Sequence, residues 1–443
     1  MATIFGTLLA FVIVFGILVF VHEFGHFFMA KLVGIRVEVF SFGYGKRLFG
    51  FKKGETDYRV SLIPMGGYVK LLGEGMFEPS RAIDPDDMMA KPRWQRLLVM
   101  AMGSIMNIIL AVVLVAVING VGVPRPIYQD EKPVIGWIDK DSPAANAGLR
   151  IGDEVVRINE RPVKTWSDVE IAVGSRPDKK IRLDILRDGQ TASVELQTES
   201  VSRYSFGYAG FRARALTQVQ MVTANSPAEQ AGLKPGDVIQ AVDGQPVYFY
   251  QFIQVLERSA GKELQFSVER GGRTLTIPVT PRRQGNVGKI GIAQIPQSVL
   301  KKYGFLEAIS QSVRENLKNT FLVVQFLKDL FTGEASTKQL GGPLKIASFS
   351  YDALRMGWLA MITWIAAISL QLGILNLIPI PVFDGGQIFV LLIESVFRRD
   401  LSPKARTIWM QIGFVIFVAL IAFVILNDIV NQLPHGWGSL LPF

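Results

Sequence analysis

The 443-residue chain has no cysteine and only three histidines. The missing thiols exclude disulfides, thiolate metal sites and a cysteine nucleophile. Any imidazole chemistry must be drawn from His22, His26 and His435. Charge is missing in blocks: residues 2–21, 97–124, 356–383 and 407–427 contain no Asp, Glu, Lys or Arg. Each block reaches the roughly 20 residues that cross a hydrocarbon core about 30 Å thick. Their unbroken apolarity predicts four membrane spans in place of buried soluble helices. The first block lacks a basic start and has no small-x-small cleavage site before Lys31, so it is expected to be retained and not cleaved as a signal.

Lys and Arg are also absent from residues 1–5 and 428–443, whereas twelve lie between Lys31 and Arg96 and four between Arg398 and Arg406. The positive-inside rule then places both termini outside, and residues 31–96 and 394–406 in the cytoplasm. The long region from Arg125 to Arg355 faces the exterior. The net charge of +9 needs no nucleic-acid partner, because much of it sits beside the spans, where it meets anionic lipid.

At the inner end of the first charge-free block stands His22-Glu23-Phe24-Gly25-His26. On a helix the two imidazoles lie at i and i+4, on one face, where they can hold zinc. Glu23, between them, is placed to act as general base on a water. A carboxylate and two histidines at the end of a membrane-length apolar run are costly unless they serve a function. With three histidines in the chain, chance produces this spacing in on the order of one chain in a thousand.

A catalytic zinc site expects a third protein ligand. His435 lies on the exterior tail, a full span away from His22 and His26. Asp384 is the better candidate: it follows the third block in Asn376-Leu-Ile-Pro-Ile-Pro-Val-Phe-Asp-Gly-Gly386, which runs inward to the same depth. Pro379 and Pro381 break the helix, and Gly385-Gly386 are expected to form a sharp turn that aims Asp384 inward.

Residues 36–72 alternate like strands but are interrupted by Gly43, Gly45, Gly50, Gly54, Gly66 and Gly67. Either an edge-exposing hairpin dipping toward the site or a cytoplasmic loop fits this pattern. Between Ser298 and Phe331, helical spacing of Leu306, Ile309, Val313, Leu317, Phe321, Val324 and Leu327 predicts an amphipathic helix on the outer membrane surface.

The exterior region repeats itself. Ser142-Pro-Ala-Ala-Asn-Ala-Gly-Leu-Arg-Ile-Gly-Asp153 recurs as Ser226-Pro-Ala-Glu-Gln-Ala-Gly-Leu-Lys-Pro-Gly-Asp237. Each copy is followed by strand, helix and hairpin signals. Gly152 and Gly236 are expected at backbone turns that side chains would obstruct. The pattern closely resembles bacterial PDZ domains, whose familiar function is adding a peptide strand to a sheet edge; a spacer that only occludes the membrane site fits equally well. Tyr208-Ala-Gly-Phe211 could open the second module or close the first.

The expected fold class is a polytopic α-helical membrane protein with four transmembrane helices, a membrane-associated β-hairpin region and two exterior PDZ-like α+β modules. The first span with its motif occupies residues 1–33, the hairpin region 34–96 and the second span 97–124. The modules are expected at 125–207 and 208–295, followed at 296–355 by the amphipathic helix and a linker. The third span and its proline segment take 356–393, the cytoplasmic loop 394–406, and the last span with its tail 407–443.

H-E-x-x-H in the first span, paired with N-x-x-P-x-P-x-x-D-G-G in a later one, resembles the site-2 protease family of intramembrane metalloproteases. Pro64-Met-Gly-Gly-Tyr-Val-Lys70, the two PDZ-like modules and four spans look like its bacterial regulator-of-sigma-E branch. The resemblance implies zinc bound by His22, His26 and Asp384, with Glu23 as base. It implies that Asn376 contacts substrate backbone and that the Gly66-Gly67 hairpin pairs with an unwound substrate strand. It also implies single-span substrates already shortened outside, such as a membrane-bound anti-sigma factor or signal-peptide remnants, in a bacterial inner membrane. The module pair would then act as a size filter. A different class is a non-catalytic PDZ-bearing membrane adaptor, which loss of Glu23 or Asp384 would favour; neither is lost.

Overall fold

The structure, a computed structural model, describes residues 2–73, 84–201, 206–285 and 287–430. His435 lies outside the described residues. Two compact units result, one of residues 1–121, 302–328 and 340–443, the other of 122–301 and 329–339.

The first unit contains helices α1 (Ala2–Leu32), α2 (Arg93–Val121), α3 (Phe305–Phe331), α4 (Pro343–Met356), α5 (Trp358–Asn376), α6 (Asp384–Phe397) and α7 (Pro403–Val430), with strands β1 (Val37–Lys53) and β2 (Thr56–Leu71). Of these, α1, α2, α5 and α7 are long and apolar enough to cross a membrane. Val14 and Leu18 of α1 pack with Ile365 and Ile368 of α5 and with Leu110 and Leu114 of α2. A second cluster joins Met29 and Ala30 to Val99, Met100 and Leu391, closing α6 onto the α1–α2 pair. Leucine, isoleucine and phenylalanine remain exposed around α7, as a lipid-facing helix requires.

Among the described residues, β1 and β2 pair only with each other. Residues Val39, Phe40, Ser41 and Phe42 have partners on both sides: Lys70, Val69, Tyr68 and Gly67 on one, Asp57, Tyr58, Arg59 and Val60 on the other. Residues 67–71 therefore form an outer edge. Phe40 anchors this sheet to α1, with ring centroids 5.7 Å from Phe20 and 4.9 Å from Phe27.

Two expectations for this unit change, the start of one helix and the extent of one loop. Helix α3 starts at Phe305, not Ser298, because Ser298–Lys301 is a strand whose backbone is taken by a ladder to Val123–Pro126. The expected amphipathic pattern of α3 is otherwise unchanged, with Leu306 and Phe321 of its apolar stripe exposed and Ser312 and Asn316 buried, Ser312 Oγ donating to the Val112 carbonyl at 2.5 Å. The loop expected at 394–406 opens with the last turn of α6, where buried Glu394 accepts hydrogen bonds from Leu401 N–H and the Arg406 guanidinium.

The second unit holds both modules. In the first, strands Glu154–Ile158, Lys180–Arg187 and Gln190–Gln197 pack on helix Trp166–Gly174. In the second, Val238–Val242, Leu264–Arg270 and Arg273–Val279 pack on helix Phe249–Arg258. The expected boundary at 207/208 is too early. Phe211–Ala213 pairs with Ile135–Ile138, and Phe211 stacks edge-on against Trp166 at 6.0 Å, so this strand closes the first module. Ile292–Pro296 closes the second by pairing with Thr217–Val222.

The repeated motif has a local explanation in each copy. Ser142 and Ser226 cap a short helix by accepting from the backbone N–H of Ala145 and Glu229. Gly152 and Gly236 sit at φ +98° and +94°, a region that side chains disfavour. Asp153 receives Arg187 through two hydrogen bonds of 2.7 Å, and Asp237 receives Arg270 at 2.6 and 2.7 Å.

Burial alone would raise Asp153, but the Arg187 guanidinium and the Arg150 N–H hold its carboxyl below the usual carboxylate range. Its contribution is therefore complete above the ordinary Asp value of about 4 and disappears as pH falls through the lowered native value. Asp153→Ala is expected to destabilise the first module by about 2–4 kcal/mol, since it strands a partly covered guanidinium. Hydrogen exchange of the full chain would show lost protection in that module alone; unchanged protection would refute the clamp.

Candidate metal centre

Along α1 the apolar run forces a helix, and the helix places His22 and His26 one turn apart on one face. The two Nε2 atoms are 3.2 Å apart. Asp384, the first residue of α6, brings Oδ2 to 3.2 Å from His22 Nε2 and Oδ1 to 3.5 Å from His26 Nε2. A tetrahedral ion bound at about 2.0–2.1 Å separates its ligand atoms by about 3.3–3.4 Å. Two imidazole nitrogens and a carboxylate at these spacings fit one face of a zinc tetrahedron, with the fourth corner free. Among the described residues no other group of three such side chains converges.

Close helix approach assembles the site. Gly25 faces α2 where an added Cβ would lie 2.4 Å from the Met102 carbonyl oxygen. Gly103 faces the histidines, and a Cβ there would lie 2.3 Å from His26 Nε2 and 2.8 Å from His22 Nε2. Beside it, buried Ser104 donates to Asp384 Oδ2 at 3.3 Å. The Val99 carbonyl lies 2.8 Å from His26 Nδ1, and the Asn107 amide 3.3 Å from His22 Nδ1. The outer nitrogen of each ring is thus engaged while Nε2 faces the carboxylate, a common arrangement behind metal-binding histidines.

Asp384 is delivered differently from the expectation. α5 stops at Asn376, as the prolines require, but Gly385 and Gly386 lie inside the first turn of α6 and form no separate turn. Their role is steric: a Cβ on Gly385 would meet the Leu377 oxygen at 2.3 Å, and one on Gly386 the Ile380 oxygen at 2.3 Å. Only residues without side chains let α6 start so tightly under the preceding segment.

Glu23 Oε2 accepts the Val69 N–H at 3.0 Å. That N–H belongs to the outer edge of the β1–β2 sheet, so the edge runs beside the glutamate. Gly67 is on the same edge, where an added Cβ would lie 3.7 Å from Glu23 Cγ and 2.6 Å from the Ser41 oxygen. Gly66 adopts φ +120°, and a Cβ there would strike the Tyr44 ring at 2.7 Å. Asn376 is half-buried at the end of α5, with no side-chain hydrogen bond among the described residues.

Sequence reasoning missed Gly103, Ser104 and Asn107. A signal existed, because Ser104, Asn107 and Asn119 are the polar interruptions of the charge-free block 97–124, and polar groups inside membrane helices usually have a task.

Comparison with known proteins gives a consistent result. Residues 10–420 match the model of peptidase family M50. A Pasteurella multocida protein named as a zinc metalloprotease is 33% identical, over 95% of this chain and 97% of its own. The regulator of sigma-E protease RseP of Salmonella typhimurium is 31% identical, over 97% and 99%. The Escherichia coli protein of the same name is 30% identical, over 95% and 98%. Among solved structures, the PDZ domain of an SdrC-like protein from Listeria monocytogenes aligns with 20% of this chain and 92% of its own, at 13% identity and a TM-score of 0.17.

Proposed function

The chain belongs to peptidase family M50 and is a membrane metalloprotease; from that premise we propose that it cuts single-span membrane proteins inside or beside the bilayer, using zinc held by His22, His26 and Asp384. The observation that carries this reading is the 3.2–3.5 Å triangle of those side chains, with Glu23 alongside on a sheet edge. When bound, zinc supplies polarisation of the scissile carbonyl and lowers the pKa of a water toward ~7.

The protein's own groups do the rest. Glu23 takes a proton from the attacking water and returns it to the leaving amine. The Val69 N–H fixes one of its carboxylate oxygens and leaves the other for that exchange. A transmembrane helix shields its peptide bonds, so the substrate must unwind before it is cut. The outer edge at residues 67–71 offers ladder partners to the unwound backbone, which offsets the helical hydrogen bonds lost. Gly66 and Gly67 keep only the start of that edge free of side chains, and the Asn376 amide contacts the substrate backbone from the end of α5.

In this reading α1, α2, α5 and α7 all span a bacterial inner membrane, the site lies toward the cytoplasm, and the modules are exterior. The relatives are named as regulators of sigma-E, and the family resemblance implies a membrane-bound anti-sigma factor, already shortened outside, as substrate; signal-peptide remnants have the same single-span form. The modules act as a size filter. The competing reading is peptide capture in the second module, whose groove of about 540 Å³ runs between helix Phe249–Arg258 and residues 288–294.

Metal analysis of the purified chain, beside cleavage of a model single-span substrate, tests the proposal. Stoichiometric zinc and chelator-sensitive cleavage are expected, and zinc-free cleavage would overturn it. Deleting residues 127–297, which leaves the Val123–Pro126 and Ser298–Lys301 strands paired at the junction, is expected to permit cutting of untrimmed substrate. Under capture, the same deletion would instead slow cleavage of trimmed substrate.

A further inference from the structure

Asn107 is fully buried on α2, its Nδ2 is placed 3.3 Å from His22 Nδ1, and its Oδ1 has no partner. Amide nitrogen and oxygen exchange positions by a half-turn of the side chain, so the hydrogen-bond network must decide between them. Either orientation leaves one amide atom unpaired, and that atom therefore does not choose. The imidazole does.

At His26 the choice is settled by a backbone carbonyl. Val99 O can only accept, so His26 Nδ1 carries a proton, and in the neutral ring that a metal needs Nε2 presents its lone pair. His22 Nε2 faces the same carboxylate as His26 Nε2. If Asn107 donated to His22 Nδ1, the His22 proton would sit on Nε2 and block that lone pair. If Asn107 accepts through Oδ1, the proton sits on Nδ1 and both Nε2 atoms are open together.

Resting on the zinc reading above, we infer that Asn107 is a positioning residue for the metal centre: its Oδ1 accepts the His22 Nδ1 proton and holds the ring with Nε2 toward zinc. The residue is itself held in place. Ser369 of α5, also fully buried, donates to the Asn107 carbonyl at 2.7 Å, so one position joins α5 and α2 to the ligand on α1.

The inference separates an acceptor role from a packing role. In purified full-length protein, Asn107→Leu keeps the branched shape but removes the acceptor, and zinc affinity measured by chelator competition is expected to fall 10–100-fold. Asn107→Asp keeps only acceptors and is expected to bind zinc within about threefold of wild type or more tightly, with the visible absorption of the cobalt-substituted protein preserved. Wild-type affinity in a folded leucine variant would overturn the inference. So would a tenfold loss in the aspartate variant, which decides the matter alone if the leucine variant does not fold. Failure of the wild-type chain to bind zinc would instead defeat the metal reading itself.

Discussion

Replacing Glu23 by glutamine is expected to abolish detectable cleavage while zinc stays bound. Glutamine matches the shape of glutamate, and its amide oxygen can still accept the Val69 N–H that Oε2 accepts at 3.0 Å. What it cannot do is take a proton from water. General-base assistance is worth about 10²–10⁴-fold, and the ligand triangle of His22, His26 and Asp384 does not include Glu23. Turnover of a single-span substrate and metal content, measured on the same preparation, check the two halves. Activity within a few-fold of wild type would remove Glu23 from the mechanism. Loss of zinc would make it a ligand or a support.

Gly103→Ala is expected to empty the centre with a single methyl group. Its Cβ would lie 2.3 Å from His26 Nε2 and 2.8 Å from His22 Nε2, inside the space the ligand atoms need. α2 cannot retreat cheaply: Gly25 already sits against the Met102 carbonyl, and Ser369 holds the Asn107 backbone at 2.7 Å. Displacing a ring instead moves Nε2 out of the tetrahedral face, where deviations beyond about 0.2 Å already matter. Zinc content is expected to fall at least tenfold with helix content unchanged. Gly120, on the same helix, has nothing within 4 Å of a Cβ position, so Gly120→Ala should keep its zinc. Full loading of the Gly103 variant would mean that the helices do not pack this closely.

Some features were legible along the chain because they depend on neighbours in sequence. The charge-free blocks report helix length against bilayer thickness. His22 and His26 share a face through helical geometry alone, and the duplicated Ser-Pro-Ala motif describes a cap and a glycine turn that form within twelve residues. Asp384 follows by elimination along the sequence, since the chain has no cysteine and the positive-inside rule expects His435 on the other side of a span.

Other features depended on partners that no local pattern specifies. Phe211 closes the first module because Ile138, 73 residues earlier, is its ladder partner. Ser298–Lys301 is a strand because Val123–Pro126 lies beside it, although helical spacing of apolar residues runs through the same stretch. Gly385 and Gly386 suggest a turn by composition, yet they serve close packing of α6 beneath carbonyls several residues away. Sequence by itself determined which helices are long and apolar enough to cross a membrane and which side chains could hold a metal. Only the tertiary structure decided that Gly103, Ser104 and Asn107 surround those ligands, because contacts between helices depend on how closely two backbones approach.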